Sequence, residues 1–319
     1  MMQGLIGRAS VAMEIGPLFP GYIKEALGLG SDSRAIESYA VWGGVPRYWE
    51  LSEKFGDDLN QAIDRNVLDP RGPLHSEPER LLLEETPPAV SLRPLLDVIG
   101  AGAHKLSEIA SRLEQPATSL SRPISRLVEL GLVKREIPFG ESERSGKRAL
   151  YRIADPFFRF WFRVVAPHRA LLAEAPSSTR TSLWEKHKEY IFSEAWENLC
   201  RQSVPLLHTT DSPLSGIGPW EPARRHWRGT APEWDIVARS VKGKKLLLGE
   251  VKWSAERVSG KTIRNVVRNL IRKGVPDHRM YGEYEIVYTV FFPKVGSNFS
   301  EGAHIIDAGT VLSCLSQRS

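Results

Sequence analysis

Asp235 and Glu250 stand fifteen residues apart, and Lys252 follows two residues after the glutamate. Two carboxylates and an amine brought together suit one chemistry in particular. Carboxylate oxygens hold Mg²⁺, a hard cation that keeps waters of its own. The ion lowers the pKa of a bound water and steadies the charge of a pentavalent phosphate, while an ammonium orients the attacking water or balances developing charge. Glu-x-Lys on its own is common in charged proteins, where a solvated ion pair is the ordinary explanation. Here it follows Leu246, Leu247, Leu248 and Gly249 and precedes Trp253, and Asp235 precedes Ile236 and Val237. Charges inside apolar strand-like runs need a reason. The expectation is a site for Mg²⁺-dependent phosphodiester hydrolysis, with Asp235 and Glu250 as metal ligands and Lys252 as the water-orienting cation.

The elements that must position these groups alternate between helix and strand. The pattern predicts a helix over 184–201, a strand over 234–238, a turn at Lys242 and Gly243, and a second strand over 245–253. Side chains alternate faces along a strand, so Glu250 and Lys252 share a side. A hairpin brings Asp235 near Glu250. A helix over 261–273 should face the sheet with Ile263, Val266, Val267, Leu270 and Ile271, leaving Arg264, Arg268 and Arg272 on another face. Strands over 285–292 and 304–307 complete an α/β sheet.

Upstream, residues 91–153 carry three short helical patterns. Leu92, Leu95, Leu96 and Ile99 form the first, Leu106, Ile109, Ala110 and Leu113 the second, and Leu120, Ile124, Leu127 and Val128 the third, which stops at Gly131. Strands over 132–137 and 149–153 flank the polar loop 140–148. Three helices and a basic hairpin make a winged helix, whose third helix would offer Arg122, Ser125 and Arg126 to a major groove while Arg144, Lys147 and Arg148 reach phosphates. Such units also serve as protein-interaction modules. Charge distribution points the same way: the net +5 conceals a stretch, residues 224–279, with 15 basic and 5 acidic side chains. Concentrated positive charge releases counterions when it meets a phosphate backbone, which makes nucleic acid, DNA first, the expected partner. Arg264, Arg268 and Arg272 belong to that stretch. A solvated basic face is the alternative.

Composition narrows the remaining classes. At 41% hydrophobic and 25% charged, the chain of 319 residues is globular in type, long enough for two or three domains, and neither collagen-like nor a coiled coil. No apolar run approaches the ~20 residues of a membrane helix, and no signal-like segment opens the chain, so the expectation is a cytoplasmic protein without a membrane partner. Cys200 and Cys314 form no CxxC and read as buried thiols. The first 70 residues read as helical, with breaks at Gly16, Pro17, Pro20, Gly21, Gly43, Gly44 and Pro46, and linker-like composition at 69–73 and at Pro87 and Pro88. The aromatic run Phe157, Phe158, Phe160, Trp161 and Phe162 could stack bases, but a domain junction is the stronger reading.

Glu197 on the helix, Asp235, and Glu250-Val251-Lys252 together resemble the PD-(D/E)XK nuclease arrangement. From about Leu92 to Ile306 the chain resembles the C-terminal region of the archaeal-type AAA+ ATPase family, in which a winged helix precedes a domain of unknown function related to those nucleases. The segments that carry the likeness are Tyr151 to Phe157, Glu197, Glu233 to Val237 and Gly249 to Trp253. Tyr39 to Pro46 is similar to the segment after that family's ATPase core, and Gly16-Pro17-Leu18 to the stretch just before it. The resemblance implies a helical region over 1–88, a winged helix over 89–154, a helical connector over 155–183 and a nuclease-like α/β domain over 184–319. It also implies a supporting catalytic role for Glu197. The family's ATPase core, with its phosphate-binding loop and acidic metal-binding strand, has no counterpart here, so the chain is expected to be a truncated or split relative that works beside a separate ATPase or partner protein.

A look-alike of a phosphate-binding loop runs from Ala255 to Thr262, between a strand and a helix. Its first glycine is missing, the strand before it carries Glu250 and Lys252, and no acidic strand follows, which argues against nucleotide hydrolysis. No GxSxG or HExxH motif occurs, and the histidines lack ligand-like spacing. The two functional expectations are thus a DNA-binding protein with a Mg²⁺-dependent nuclease-like domain, and a non-catalytic DNA-binding or regulatory module whose acidic pair is inert.

Overall fold

In the computed structural model, which describes residues 16–84, 91–144, 146, 148–209, 212–296 and 302–316, helices dominate the first half and a mixed sheet the second. The N-terminal helices are α1 (Ile23–Ala26), α2 (Asp32–Trp42), α3 (Pro46–Glu53), α4 (Leu59–Ile63) and α5 (Glu77–Glu84). Ser31 caps α2 and Asp58 caps α4 by accepting backbone N–H bonds. Residues 1–15 and the Pro87–Pro88 linker expectation lie outside the described residues. Gly44 is obligatory at its position, since a Cβ would come within 2.3 Å of the Leu18 carbonyl oxygen. Leu18 N–H donates to the Gly44 carbonyl at 2.8 Å, and Gly43 turns with a φ of 58° beside Asp155 and Pro156. Three segments far apart in sequence, around residues 18, 43 and 155, therefore meet at one point.

Next come α6 (Arg93–Gly100), α7 (Leu106–Arg112) and α8 (Ala117–Glu129), then an antiparallel hairpin of β1 (Val133–Glu136) and β2 (Leu150–Ile153). The apolar spacing that predicted three helices is what packs them: Leu95, Leu96, Ile99, Ile109, Leu120, Ile124 and Leu127 are all buried. Pro123 lies within α8, and its ring removes one helical hydrogen bond there. Gly100 abuts Phe162, whose Cβ would lie 2.5 Å from an added Cβ. Alanine normally favours a helix over glycine by about 1 kcal/mol. At Gly100 the clash should reverse that sign, so Gly100→Ala is expected to lose about 1–3 kcal/mol, read as a lowered midpoint in urea unfolding.

The aromatic run forms α9 (Pro156–Phe160) and a π-helical turn over Trp161–Val165. Its rings are buried, with Phe157 against Tyr48 at 4.6 Å and Phe160 against Trp184 at 5.4 Å. They are packing groups, as the junction reading requires. After α10 (Arg169–Glu174), a single helix, α11 (Ser177–Ser203), runs for 27 residues, about 40 Å at 1.5 Å per residue. It begins seven residues before the expected start at Trp184, because polar side chains at 177–182 do not break a helix and Pro176 is tolerated at its N-cap. At one end Arg180 pairs with Asp64 at 2.6 Å, and Trp184 donates to Asn60. At the other end α11 lies under the sheet.

That sheet is ordered β3 (Arg224–His226), β4 (Trp234–Arg239), β5 (Lys245–Val251), β6 (Glu285–Phe291) and β7 (His304–Ile306). The first three strands are antiparallel neighbours, while β5, β6 and β7 run parallel. The parallel step from β5 to β6 requires a crossover, supplied by α12 (Gly260–Arg272) and the short α13 (His278–Tyr281). The last helix is α14 (Ala308–Ser316). One face of the sheet, with Ile236, Ala238 and Leu247, joins the large core shared with the N-terminal helices. The other, with Val237, Leu246, Leu248 and Val290, packs against Ile263, Val267 and Leu270 of α12. Ile271 departs from expectation: it is 42% exposed, because one further residue past Leu270 turns it about 100° away from the sheet. Cys200 and Cys314 are buried free thiols, as expected. No helix among the described residues is long and apolar enough to cross a membrane.

Candidate functional site

β4 and β5 are antiparallel, with Ile236 opposite Gly249. One step outward, Asp235 at the start of β4 faces Glu250 near the end of β5. Gly249 makes the approach possible. A Cβ there would lie 2.8 Å from Thr289 Oγ1 and 2.9 Å from Ile236 Cβ, so the strands on both sides press against bare backbone. Val251 N–H donates to Asp235 Oδ2 at 2.9 Å, which fixes the carboxylate across the strand pair and leaves its other oxygen for an incoming cation. Glu250 and Lys252 lie on the same side, as strand alternation requires, and their head groups pair at 2.8 Å.

The electrostatics of this corner are strained in one direction. Burial, then the charges of Glu250 and Glu197, push the Asp235 carboxyl up from 3.8 to about 6 against the opposing effect of the Val251 hydrogen bond and Lys252. Lys252 is shifted upward as well, which for a lysine favours the charged form. Burial disfavours its charge, but the hydrogen bond and charge of Glu250, with Asp235 and Glu197 adding, raise its pKa. Glu197 reaches the corner from α11 on the sheet's other side, pairing with Arg201 at 3.5 Å. The four residues singled out for catalysis and metal binding are thus electrostatically coupled.

Two further groups in the site were not singled out by sequence reasoning. Lys273, just beyond α12, places its Nζ 2.5 Å from Glu250 Oε2 and donates to the Glu233 carbonyl at 2.8 Å. Arg201 donates to the Asp235 carbonyl oxygen at 3.3 Å and to Asn198 Oδ1 at 2.9 Å. The only sequence signal for Lys273 was its place at the end of the helix that follows the Glu-x-Lys strand. For Arg201 it was the four-residue step from Glu197 along one helix.

Whether Mg²⁺ fits can be judged from the donors. Among the described residues no group of three or more His, Cys, Asp and Glu side chains is placed to hold a metal ion. Mg²⁺ needs only one or two carboxylates with waters completing its shell, so Asp235 and Glu250 suffice in kind. A carboxylate crowded by two others, as Asp235 is, gains from a divalent cation. Glu250 must release one of its two lysine partners to contribute.

The proposed nucleic-acid contacts are distributed over three surfaces. Arg122, Ser125 and Arg126 line an open depression on α8, where Arg126 also pairs with Glu129 at 3.0 Å. Arg264, Arg268 and Arg272 are exposed along α12. In the hairpin loop Arg144 is exposed, Arg148 pairs with Glu141 at 2.5 Å, and Lys147 lies outside the described residues. The beginning of this loop is fastened to the sheet. Phe139 is buried in the second core and contacts Tyr281 at 5.6 Å. Its N–H donates to the Arg225 carbonyl at 2.7 Å, and its carbonyl lies 3.0 Å from His226 Nδ1. His226 is therefore a buried tie rather than a surface residue or phosphate contact.

Residues 161–266 match a family model described as archaeal and bacterial proteins of unknown function. The chain is also similar to an uncharacterized protein of Methanocaldococcus jannaschii, 26% identical over 299 residues that cover 92% of this chain and 64% of that relative. The chain thus spans under two thirds of the relative's length. No solved structure matches.

Proposed function

We propose that this chain is a nucleic-acid-binding protein, DNA being the first substrate to test, whose C-terminal sheet carries a Mg²⁺-dependent phosphodiesterase site of the PD-(D/E)XK kind, preceded by a winged helix. The observation that carries this reading is the Asp235 carboxylate, held across β4 and β5 beside Glu250 and Lys252 and pushed to about 6 by burial and then by its acidic neighbours. The succession of a helix, three antiparallel strands with the acidic pair on the second and third, a crossover helix and a parallel strand supports the nuclease-like assignment. Three helices followed by a hairpin support the winged helix. The likeness to the C-terminal region of archaeal-type AAA+ ATPases, and with it a separate ATPase partner, belongs to the same proposal.

When bound, Mg²⁺ would supply an activated water and offset phosphate charge. The residues of this chain do the rest. Asp235 and Glu250 would hold the ion, Lys252 would orient the water and balance charge as the phosphorus–oxygen bond breaks, and Glu197 would support the acidic corner from α11.

Incubating the protein with supercoiled plasmid in Mg²⁺ or Mn²⁺ should give nicked and linear forms, and EDTA should stop the conversion. An intact plasmid under both metals would remove the catalytic reading. The second reading, a non-catalytic module, is favoured by a specific contact: Lys252 and Lys273 already engage both oxygens of Glu250. It expects DNA binding without cutting under every metal.

A further inference from the structure

We propose that the cleft between the β1–β2 hairpin, the C-terminal end of α11 and edge strand β3 seats the phosphate backbone of a single strand of nucleic acid. This rests on the reading of the chain as a nucleic-acid protein and names where the strand lies. The cleft holds about 570 Å³ and is lined by Lys134, Arg135, Arg201, Arg224 and Arg225, against only Glu136 and Glu143 of opposite sign. Trp227, half-buried, also lines it.

Three features distinguish this cleft from an ordinary solvated basic face. First, its cations are sheltered: the side chains of Arg201 and Arg225 are 11% and 19% exposed. Gathering like charges out of water is costly unless anions offset it. Here Arg224 has a close partner in Glu143 at 2.7 Å, while Glu136 lies 3.3 Å from Lys134, Glu197 3.5 Å from Arg201 and Glu233 3.7 Å from Arg225, each without a hydrogen bond between the pair. Lys134 registers that cost, because burial, with Arg159 and Arg201 nearby, brings its ammonium down to about 8 despite the opposing pull of Glu136 and Glu194.

Second, Asn198 is shared. Its amide oxygen accepts from Lys134 at 2.8 Å and from Arg201 at 2.9 Å, and its own amide nitrogen donates to the Glu194 carbonyl. A neutral acceptor sets two cations side by side without cancelling their charge, as a phosphate seat requires. Third, the walls are clamped together by the Phe139 contacts to Arg225 and His226, so the cleft is preformed.

The occupant follows from size and chemistry. A volume of this order takes one or two nucleotides rather than the full width of a duplex. Arginines track phosphates, and a half-exposed tryptophan offers a face on which a base stacks whatever its identity. Arg201 links the cleft floor to the Asp235 backbone, so a strand seated here would run toward the acidic corner.

The test is fluorescence anisotropy of a fluorescein-labelled 20-nucleotide oligo(dT), measured in EDTA so that cutting cannot interfere, on the intact chain between 50 and 200 mM salt. The double variant Arg224→Gln/Arg225→Gln should weaken binding at least tenfold and flatten the log–log salt slope by about 1.4, at ~0.7 per lost phosphate contact. Trp227→Ala should weaken binding about fivefold or more, with an unaltered salt slope. Arg47→Gln, an exposed residue of α3 outside the cleft, should change affinity less than twofold. Melting curves establish that each variant is folded, and the single variant Arg224→Gln serves if the double one is not. Unchanged oligo(dT) affinity in folded cleft variants, no oligo(dT) binding at all, or losses confined to a duplex of equal length would each overturn the proposal. Oligo(dT) bound through these residues by a protein that leaves plasmid intact would support the cleft while removing the nuclease reading. Plasmid cut by a protein whose cleft variants bind as before would do the reverse.

Discussion

Replacing Asp235 by asparagine should lower Mg²⁺-dependent plasmid cutting by about 10²–10³-fold and, measured without metal at pH 8, raise the melting temperature. Asparagine keeps an oxygen to accept the Val251 N–H but contributes no charge to the ion. The stabilisation follows from linkage. The folded protein holds the Asp235 proton more tightly than the unfolded chain does, with a pKa of about 6 against 3.8. Stability therefore falls as pH rises through that window, and the full penalty is present above it. Allowing for partial exposure and solvent screening, the penalty is of order 1–2 kcal/mol, equivalent to a few degrees. The gain should disappear below pH 4. Lys252→Ala should also abolish cutting, but without raising stability, since it removes a favourable partner of Glu250. A purely structural aspartate would show the opposite pattern, with lost stability and unchanged cutting. Plasmid conversion and melting curves across pH on the same two variants separate the cases.

Glu194→Ala is the substitution expected to destabilise most. Its carboxylate is 9% exposed, accepts from Arg152 at 2.8 Å and lies 3.6 Å from Arg159. Glu136 adds a contact to Arg152 at 3.3 Å without hydrogen-bond geometry. Truncating Glu194 leaves Arg152 sheltered with Glu136 at 3.3 Å and Arg159 with the nearby charge of Asp155. Losing one member of such a buried network costs about 3–5 kcal/mol, equivalent to a drop of about 10 °C for a chain of this size. Arg152→Met in the Glu194→Ala background should lose less than the two single losses combined, because the second change removes a charge that the first left unpaired.

The same network sets the acid limit. Burial alone would raise Glu194 and Glu136, but arginines and Lys134 outweigh it and hold both at about 2, below the usual 4.5. Folded-state pKa values lowered in this way contribute stability above the unfolded values, and it is lost as pH falls from about 4.5 toward 2. Chemical unfolding across that interval should show a steep decline, made shallower by Glu194→Gln.

The same helix that carries Glu194 makes contacts in both halves of the chain. The long α11 carries Arg180 toward Asp64, Glu194 toward Arg152, Asn198 toward Lys134 and Arg201 toward Asp235. Reading residues 155–183 as a connector ahead of a separate unit at 184 divides this continuous helix. A break there has no local signature, because helix ends are set by caps and docking rather than by a change in residue type.

How legible each feature was depends on the range of the physics behind it. Alternation along β5 is local, so Glu250 and Lys252 could be placed on one side, and Asp235 opposite them, from residue order alone. The buried faces of α6, α7 and α8 and the core role of Phe157 to Phe162 were legible for the same reason: apolar periodicity of 3.6 residues is a property of the segment. Ile271 was misplaced because an apolar residue at the margin of a helical stripe is assigned by the neighbour it meets, and α12 meets the sheet along Ile263, Val267 and Leu270.

By itself, then, the sequence determined the three helices and hairpin of 91–153, the four central and parallel strands of the sheet, which faces are apolar, and that an acidic pair and a lysine share one hairpin, but not edge strand β3, the last helix α14 or the start of α11. Only the tertiary structure decided that Lys273 reaches Glu250, that Glu197 and Arg201 approach Asp235 from the opposite layer, and that Phe139 draws the β1–β2 hairpin onto the sheet to close a basic cleft. The reason is range. Dihedral preference and periodicity act over a few residues and are written in order along the chain. Charge coupling and side-chain contact act through space, between groups whose distance is fixed only when the core has packed.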